Sequence, residues 1–292
     1  MSATATTSTP NRTASATARP DRDLMNNPPM AWPTLGLFSA CVALWVTLIG
    51  VGISGIAPLW ALVPVLTAIG YALFTPMHDS AHGSVGRARW INAIVGRACA
   101  FILMAPFHGF KVSHLRHHKK TNEAHEDPDM WSGGGRVWTL PLRWLTQDIH
   151  YYVVYARLWS ERPLAERIEV VTTAALVSAL AIALSLAGFG LEVLFLWAIP
   201  ARLAIAILAF SFDYLPHWPH GTAASDDRFK ATHNIDGGPL LTALMFFQNY
   251  HLIHHLHPGV PFYRYGALWR ARKEALIPKG ARTRALWNHA QH

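Results

Sequence analysis

The chain changes polarity in long blocks rather than in short alternations. From Leu24 to His78 there is no Asp, Glu, Lys or Arg, and about 20 apolar residues carry a helix across a bilayer. That length predicts two crossings, near 35–53 and 59–76, joined by the short turn "SGIAP". A second apolar region, 168–215, is interrupted only by Glu169, Glu192, Arg202 and Asp213. The "AGFG" at 187–190 divides it into two further crossings, near 168–187 and 191–212. Soluble cores seldom run so far without a charge. The expected fold class is an all-α integral membrane protein, with four transmembrane helices in two hairpins.

Charge sets the expected orientation. Nine Lys and Arg fall between Lys111 and Arg167 and nine more between Arg228 and Arg284, whereas neither far-side turn has any. Short basic loops stay on the cytoplasmic side, so both termini and the central loop are expected there. The net charge of +8 would suit nucleic acid in a soluble protein. Here the basic residues flank apolar spans and serve topology and anionic lipid, so no nucleic acid partner is expected. Residues 1–30, rich in Ser, Thr, Ala and Pro, read as a disordered tail ahead of one membrane domain at 31–292. The tail lacks the apolar core of a signal peptide, and Asp21 and Asp23 argue against a transit sequence. Cys41 and Cys99 lie in apolar segments and read as small buried side chains, neither disulfide partners nor metal ligands.

The seventeen histidines are clustered. "HDSAH" (His78, His82) follows the second crossing, "HLRHH" (His114, His117, His118) opens the central loop, and "HLIHH" (His251, His254, His255) lies near the C-terminus. On a helix, positions i, i+3 and i+4 share an arc of roughly 100°, so each HxxHH is expected to turn three imidazoles toward one point. Imidazole suits Fe, Zn, Cu and Ni, and eight ligands exceed the about four to six positions of one ion. A cytoplasmic, histidine-rich helical cap holding a dimetal site is therefore expected. For the first two boxes to meet, the apolar stretch 91–110 cannot cross the membrane once. With Arg97 in its middle, it reads as an interfacial or re-entrant helix near 91–107. A membrane metal transporter would instead carry its ligands deep within the spans, where only Arg97, Glu192 and Arg202 lie.

The boxes in this order, with two membrane hairpins, resemble the membrane fatty acid desaturase and hydroxylase superfamily over roughly residues 35–270. There, HxxxH, HxxHH and HxxHH boxes surround a non-haem di-iron centre. The resemblance implies His78, His82, His114, His117, His118, His251, His254 and His255 as iron ligands. It also implies a ninth from the end of the fourth crossing, where "FDYLPHWPH" offers His217, with His220 and His233 as alternatives. Asp213, four residues ahead of His217, is expected to face the metals with it. Asp79, Asn122, Asp127, Asp129 and Asn249, in or beside the boxes, are expected to support the ligands. His257 opens "HPGV", but too little chain follows for a cytochrome b5 haem domain. His108, His125, His150, His289 and His292 stand outside the boxes and read as surface or interfacial.

The implied chemistry is oxidation of an unactivated C–H bond of a long apolar lipid by two iron ions, with O2 as co-substrate. Substrate positioning then decides between a double bond and an alcohol. With no Gly-rich nucleotide loop, flavin fingerprint or Cys cluster, electrons are expected from a ferredoxin or similar acidic donor with its reductase. "HDSAH" is similar to acyl-lipid desaturases, whereas "DYLPHWPH", "DRFKATHNI" and "QNYHLIHHLHPGVPFYRY" look like β-carotene ring hydroxylases. A fatty acid desaturase is expected, with carotenoid hydroxylation as the alternative. Trp138, Trp144, Tyr151, Tyr152, Tyr155 and Trp159, interleaved with Arg143, Arg157 and Arg162, are expected at the membrane interface. "YRYGALWRARKEAL", 263–276, is expected to lie on the membrane surface as an amphipathic helix.

Overall fold

A computed structural model describes residues 19–286. Residues 1–18, most of the expected tail, and 287–292, with His289 and His292, lie outside the described residues. The main helices are α1 (Arg19–Met25), α2 (Trp32–Ile53), α3 (Leu59–His82), α4 (Arg89–Ile102), α5 (Phe107–Lys120), α6 (Gln147–Arg157), α7 (Leu164–Leu184), α8 (Ile199–Leu208), α9 (His251–Leu256) and α10 (Tyr265–Leu276). The end of the expected tail is folded, because Leu24 and Met25 of α1 join the apolar cluster around Leu252 and Leu268. Two short parallel strands, β1 (Asn234–Asp236) and β2 (Thr283–Ala285), depart from an all-helical fold.

Three helical stretches are long and apolar enough to cross a membrane: Trp32–Ile53, Leu59–His82 and Leu164–His217. Counting the bent pair α4 and α5 as one span would make four. The 54-residue third stretch would be about 80 Å long if straight, against a bilayer core of about 30 Å. It is not straight, since Gly188 takes a left-handed φ of 100°. Val170 on one side of Gly188 packs with Val112 of α5. Phe212 on the other meets Phe74, which in turn meets Phe110 of α5. Both ends thus return to α5, and the stretch doubles back about Gly188. Its outer side chains are apolar and open, with Leu176 70% and Leu186 84% exposed, a surface suited to hydrocarbon rather than water.

Helix α3 runs through the first histidine box rather than stopping at 76. Its interior Pro76 cannot donate a backbone hydrogen bond, and Ser80 Oγ donates to the Pro76 carbonyl at 2.7 Å. Helices α4 and α5 have 14 residues each, about 21 Å and too short to span, and they meet at 104°. The corner is close-packed, for a Cβ on Gly96 would come within 2.4 Å of the Phe107 ring. Arg97 is neutralised across the corner. It donates two hydrogen bonds to Glu169, at 3.0 and 2.6 Å, and His108 Nδ1 lies 2.6 Å from the same carboxylate.

Two expectations about the interface are corrected. Tyr151 and Tyr155 are buried rather than interfacial, because Tyr151 Oη donates to the buried Asp129 at 2.6 Å and Tyr155 fills the gap between Val112 and Val170. Trp138, 74% exposed, does lie on the outside. The apolar face of α10 does not lie on a membrane either. Tyr265 and Leu268 are spent against Leu252, Ile253 and Leu256 of α9, leaving the basic face outward. Cys41 and Cys99 are buried and unbridged.

Gly96→Val forces the Phe107 ring out of its seat and should destabilise the protein by about 1–3 kcal/mol. A lower melting midpoint in detergent, relative to Gly50→Val in the open face of α2, is the expected readout.

Candidate metal centre

Helices α3, α5 and α9 and the end of the Leu164–His217 stretch deliver nine imidazoles to one place. They form two groups: His78, His82, His114, His118 and His254, and His117, His217, His251 and His255, with the candidate ligand atoms of each group within 4.8 Å of one another. The boxes do not each aim at one point. Successive residues on a helix differ by about 100°, so the adjacent pair His117 and His118 straddles the two groups, as do His254 and His255. The i, i+4 pairs stay together, His114 with His118 in the first group and His251 with His255 in the second.

Within the groups the Nε2 atoms converge. In the first, His82 is 2.8 Å from His114, His114 3.2 Å from His118, His118 2.8 Å from His254, and His254 2.9 Å from His78. In the second, His217 is 2.8 Å from His251, His251 3.0 Å from His255, and His255 3.3 Å from His117. A neutral imidazole carries a single N–H, so a chain of nitrogens each facing two others cannot be satisfied by hydrogen bonds alone. A cation satisfies all of them, and ligands about 2.1 Å from a common centre stand about 3.0–3.4 Å apart. Burial and neighbouring imidazoles hold His251, His254 and His255 well below the usual histidine range, leaving them neutral and able to ligate. The donor set therefore fits two transition-metal ions.

A sequence profile described as fatty acid desaturase matches residues 54–287. The chain belongs to the fatty acid desaturase family. A Paracoccus "Beta-carotene ketolase" is 37% identical over 214 residues, covering 71% of this chain and 76% of that relative. The "sn-1 oleoyl-lipid 12-desaturase" of a Picosynechococcus species is 26% identical over 274 residues, 81% of this chain and 75% of the relative. A Helianthus annuus "sn-2 acyl-lipid omega-3 desaturase (ferredoxin), chloroplastic" is 26% identical over 241 residues, 70% of this chain and 53% of the relative. Family and relatives make the chain an oxidoreductase.

In this desaturase-family chain the expected supporting residues divide. Asp127 Oδ1 lies 2.8 Å from His117 Nδ1, with Asp129 Oδ2 at 3.3 Å. Burial works to lower His117, but the carboxylates of Asp127 and Asp129 more than offset it, raising the group to about 9. Burial pushes Asp129 up to about 6. Asn122 acts one step further out, its backbone N–H donating to Asp127 Oδ2 at 2.6 Å. Asp79 and Asn249 do not reach the imidazoles. One residue from His78 and so turned away from it, Asp79 accepts from Thr34 Oγ1 at 2.8 Å and from the Phe262 N–H at 3.3 Å. Asn249 donates to the carbonyl of Ile235, tying the start of α9 to β1.

His217 enters the second group, while His220 stacks beside it at 6.2 Å and His233 lies in neither. Asp213 makes no hydrogen bond to a clustered histidine among the described residues. The intervening backbone passes from π to 3-10 geometry at Tyr214, so the i, i+4 relation to His217 is lost, and Asp213 faces an apolar cavity instead. His257 meets Arg272, with Nη1 and Nε2 2.8 Å apart. Sequence reasoning missed Tyr265, fully buried with its Oη 2.9 Å from His254 Nδ1. No spacing rule marks a tyrosine eleven residues past its histidine.

The cavity runs beside the first group. Phe74, Met77, Leu103, Phe110, Ile205, Leu208 and Ala209 line it, and the rings of Phe74 and Phe110 contact His78 and His114, with centres 5.7 and 5.3 Å apart.

Acid should destabilise the metal-free protein. His251, His254 and His255 titrate below 6.5 when folded, so below that pH the unfolded chain binds protons the folded one does not, and stability falls. His117 has the opposite sign, but its contribution is fully present below 6.5 and lost only as pH rises through about 9. Asp129, raised to about 6, offsets one of the three. The melting midpoint after chelation should therefore drop steadily between about pH 6.5 and pH 5, and a flat profile would contradict this balance.

Proposed function

We propose that this chain is a four-crossing membrane enzyme. Its two histidine groups hold two iron ions on the cytoplasmic side, and it uses O2 and external electrons to desaturate or hydroxylate a long apolar lipid. The observation that carries the reading is the pair of histidine groups abutting an apolar cavity. The doubling-back at Gly188 and the basic loops support four crossings with both termini cytoplasmic.

When bound, an iron pair with O2 supplies an oxidant able to attack an unactivated C–H bond. The chain's own residues do the rest. His78, His82, His114, His118 and His254 hold one ion and His117, His217, His251 and His255 the other. Asp127 holds the imidazole of His117, and Tyr265 that of His254, fixing ring orientation. Phe74, Met77 and Phe110 exclude water and lay the substrate chain along the first group, and that alignment selects the carbon attacked.

Family membership favours a fatty acyl chain as substrate. A second reading, ring oxygenation of a carotenoid, is favoured by a specific observation: the β-carotene ketolases are 37% and 35% identical, against 26% for the oleoyl-lipid desaturase. Electrons come from a ferredoxin or a similar acidic protein with its reductase, as the word "ferredoxin" in one relative's name suggests.

Expression beside a His254→Ala variant, in a host making unsaturated lipids and β-carotene, separates the substrates. New acyl double bonds mark a desaturase and oxygenated rings a carotenoid oxygenase. An unchanged pool of both would refute the proposal. Ala209→Phe should plug the cavity and cut product at least about tenfold while two irons per chain are retained. Equal loss of iron would assign Ala209 to folding instead.

A further inference from the structure

We propose that a basic cleft beside α6 is where an acidic electron-donor protein docks, the electron entering through Asp127 and His117; this rests on the reading of the histidine groups as a di-iron centre. The cleft is lined by Arg116, which is paired with Glu126 of the same wall, and by His125, Arg143, His150 and Arg157, with Trp131 beside them; Asp127 is also in the lining, its carboxylate buried beneath the surface. That carboxylate is bonded to a histidine of the second group at 2.8 Å. From the cleft to the metal position the path is thus one hydrogen bond and one imidazole.

The surroundings fit a protein partner. Trp131 stacks on His150 with ring centres 4.7 Å apart at 7°, and the Arg143 guanidinium lies 4.4 Å above the same indole. Rigid Trp and Arg side chains of this kind concentrate binding energy at interfaces. Arg157 is exposed and has no carboxylate partner among the described residues, which leaves it open to one from a partner. Ile149 and Val153 of α6, exposed and about two turns and one turn from Arg157 on the same side, put an apolar strip at the edge of the cleft.

A second basic opening lies beside His217, with Lys230, Arg282 and Arg284. Lys230 there is already paired with Asp227 at 2.8 Å. His217 itself lines this opening with its Nδ1 unbonded, so a route here would run through one unsupported imidazole, whereas the α6 route runs through a histidine held by a carboxylate. Each encounter at the α6 cleft oxidises the donor's iron–sulfur cluster by one electron and reduces the metal pair by one. Two encounters, two protons and one O2 match either product: an alkene with two waters, or an alcohol with one.

The test uses reduced plant-type ferredoxin and the full chain in nanodiscs. Affinity is measured by surface plasmon resonance, without O2, on the protein as purified, for the wild type, Arg157→Glu and Arg282→Glu. Arg157→Glu should weaken binding about tenfold, with a shallower salt dependence, and leave Arg282→Glu near the wild type. Unchanged binding in Arg157→Glu, or a larger loss in Arg282→Glu, overturns the proposal. Iron-loaded wild type supplied with dithionite and methyl viologen keeps the two readings apart. O2-dependent product without ferredoxin upholds the di-iron reading even if docking fails here, whereas its absence counts against that reading itself.

Discussion

The structure depends on bringing nine imidazoles, from segments up to 177 positions apart between His78 and His255, to one end of the helices. Every large feature serves that convergence. Helix α3 continues past its apolar stretch to present His78 and His82. The sharp corner after α4 returns the chain so that α5 can present its box from the same side. The reversal at Gly188 brings His217 back to meet them. A crowd of buried nitrogens facing one another is unfavourable without a cation. Apolar packing along α3 and α8 holds them together.

A polar scaffold then fixes the rings. Asp127 and Asp129 face His117 while Tyr151 and Asn122 hold those carboxylates, so the outer groups are themselves bonded. Tyr265 does the same for His254 with one hydroxyl. Asp79 works at a larger scale, joining α2 and the Phe262 turn to the helix of the first box. The stretch "GVPFYRY" is accordingly part of the cage wall, whatever else it contributes.

Much of this was legible because it rests on local periodicity. Apolar run lengths locate the long helices, and box spacing locates the clustered imidazoles. Legibility ended where geometry depended on two elements at once. The step of about 100° splits each HxxHH, but which histidines of the other elements join each half follows from α5 facing α9, which no single helix reveals. The inward turn of Tyr151 follows from a buried carboxylate 22 positions away. Asp213 shows a different limit, since a change from π to 3-10 winding cancels an i, i+4 relation that the letters alone suggest.

The straddling histidine pairs have a mechanical consequence. His117 and His118 are joined by one peptide unit, and so are His254 and His255, so two rigid rulers link the metal positions. Any two ions held there would be spaced by backbone geometry more than by flexible side chains. Filling one position would order both helices for the other, because the conformational cost of aligning α5 and α9 would be met once for the pair. Two ions bound there would load as a coupled pair.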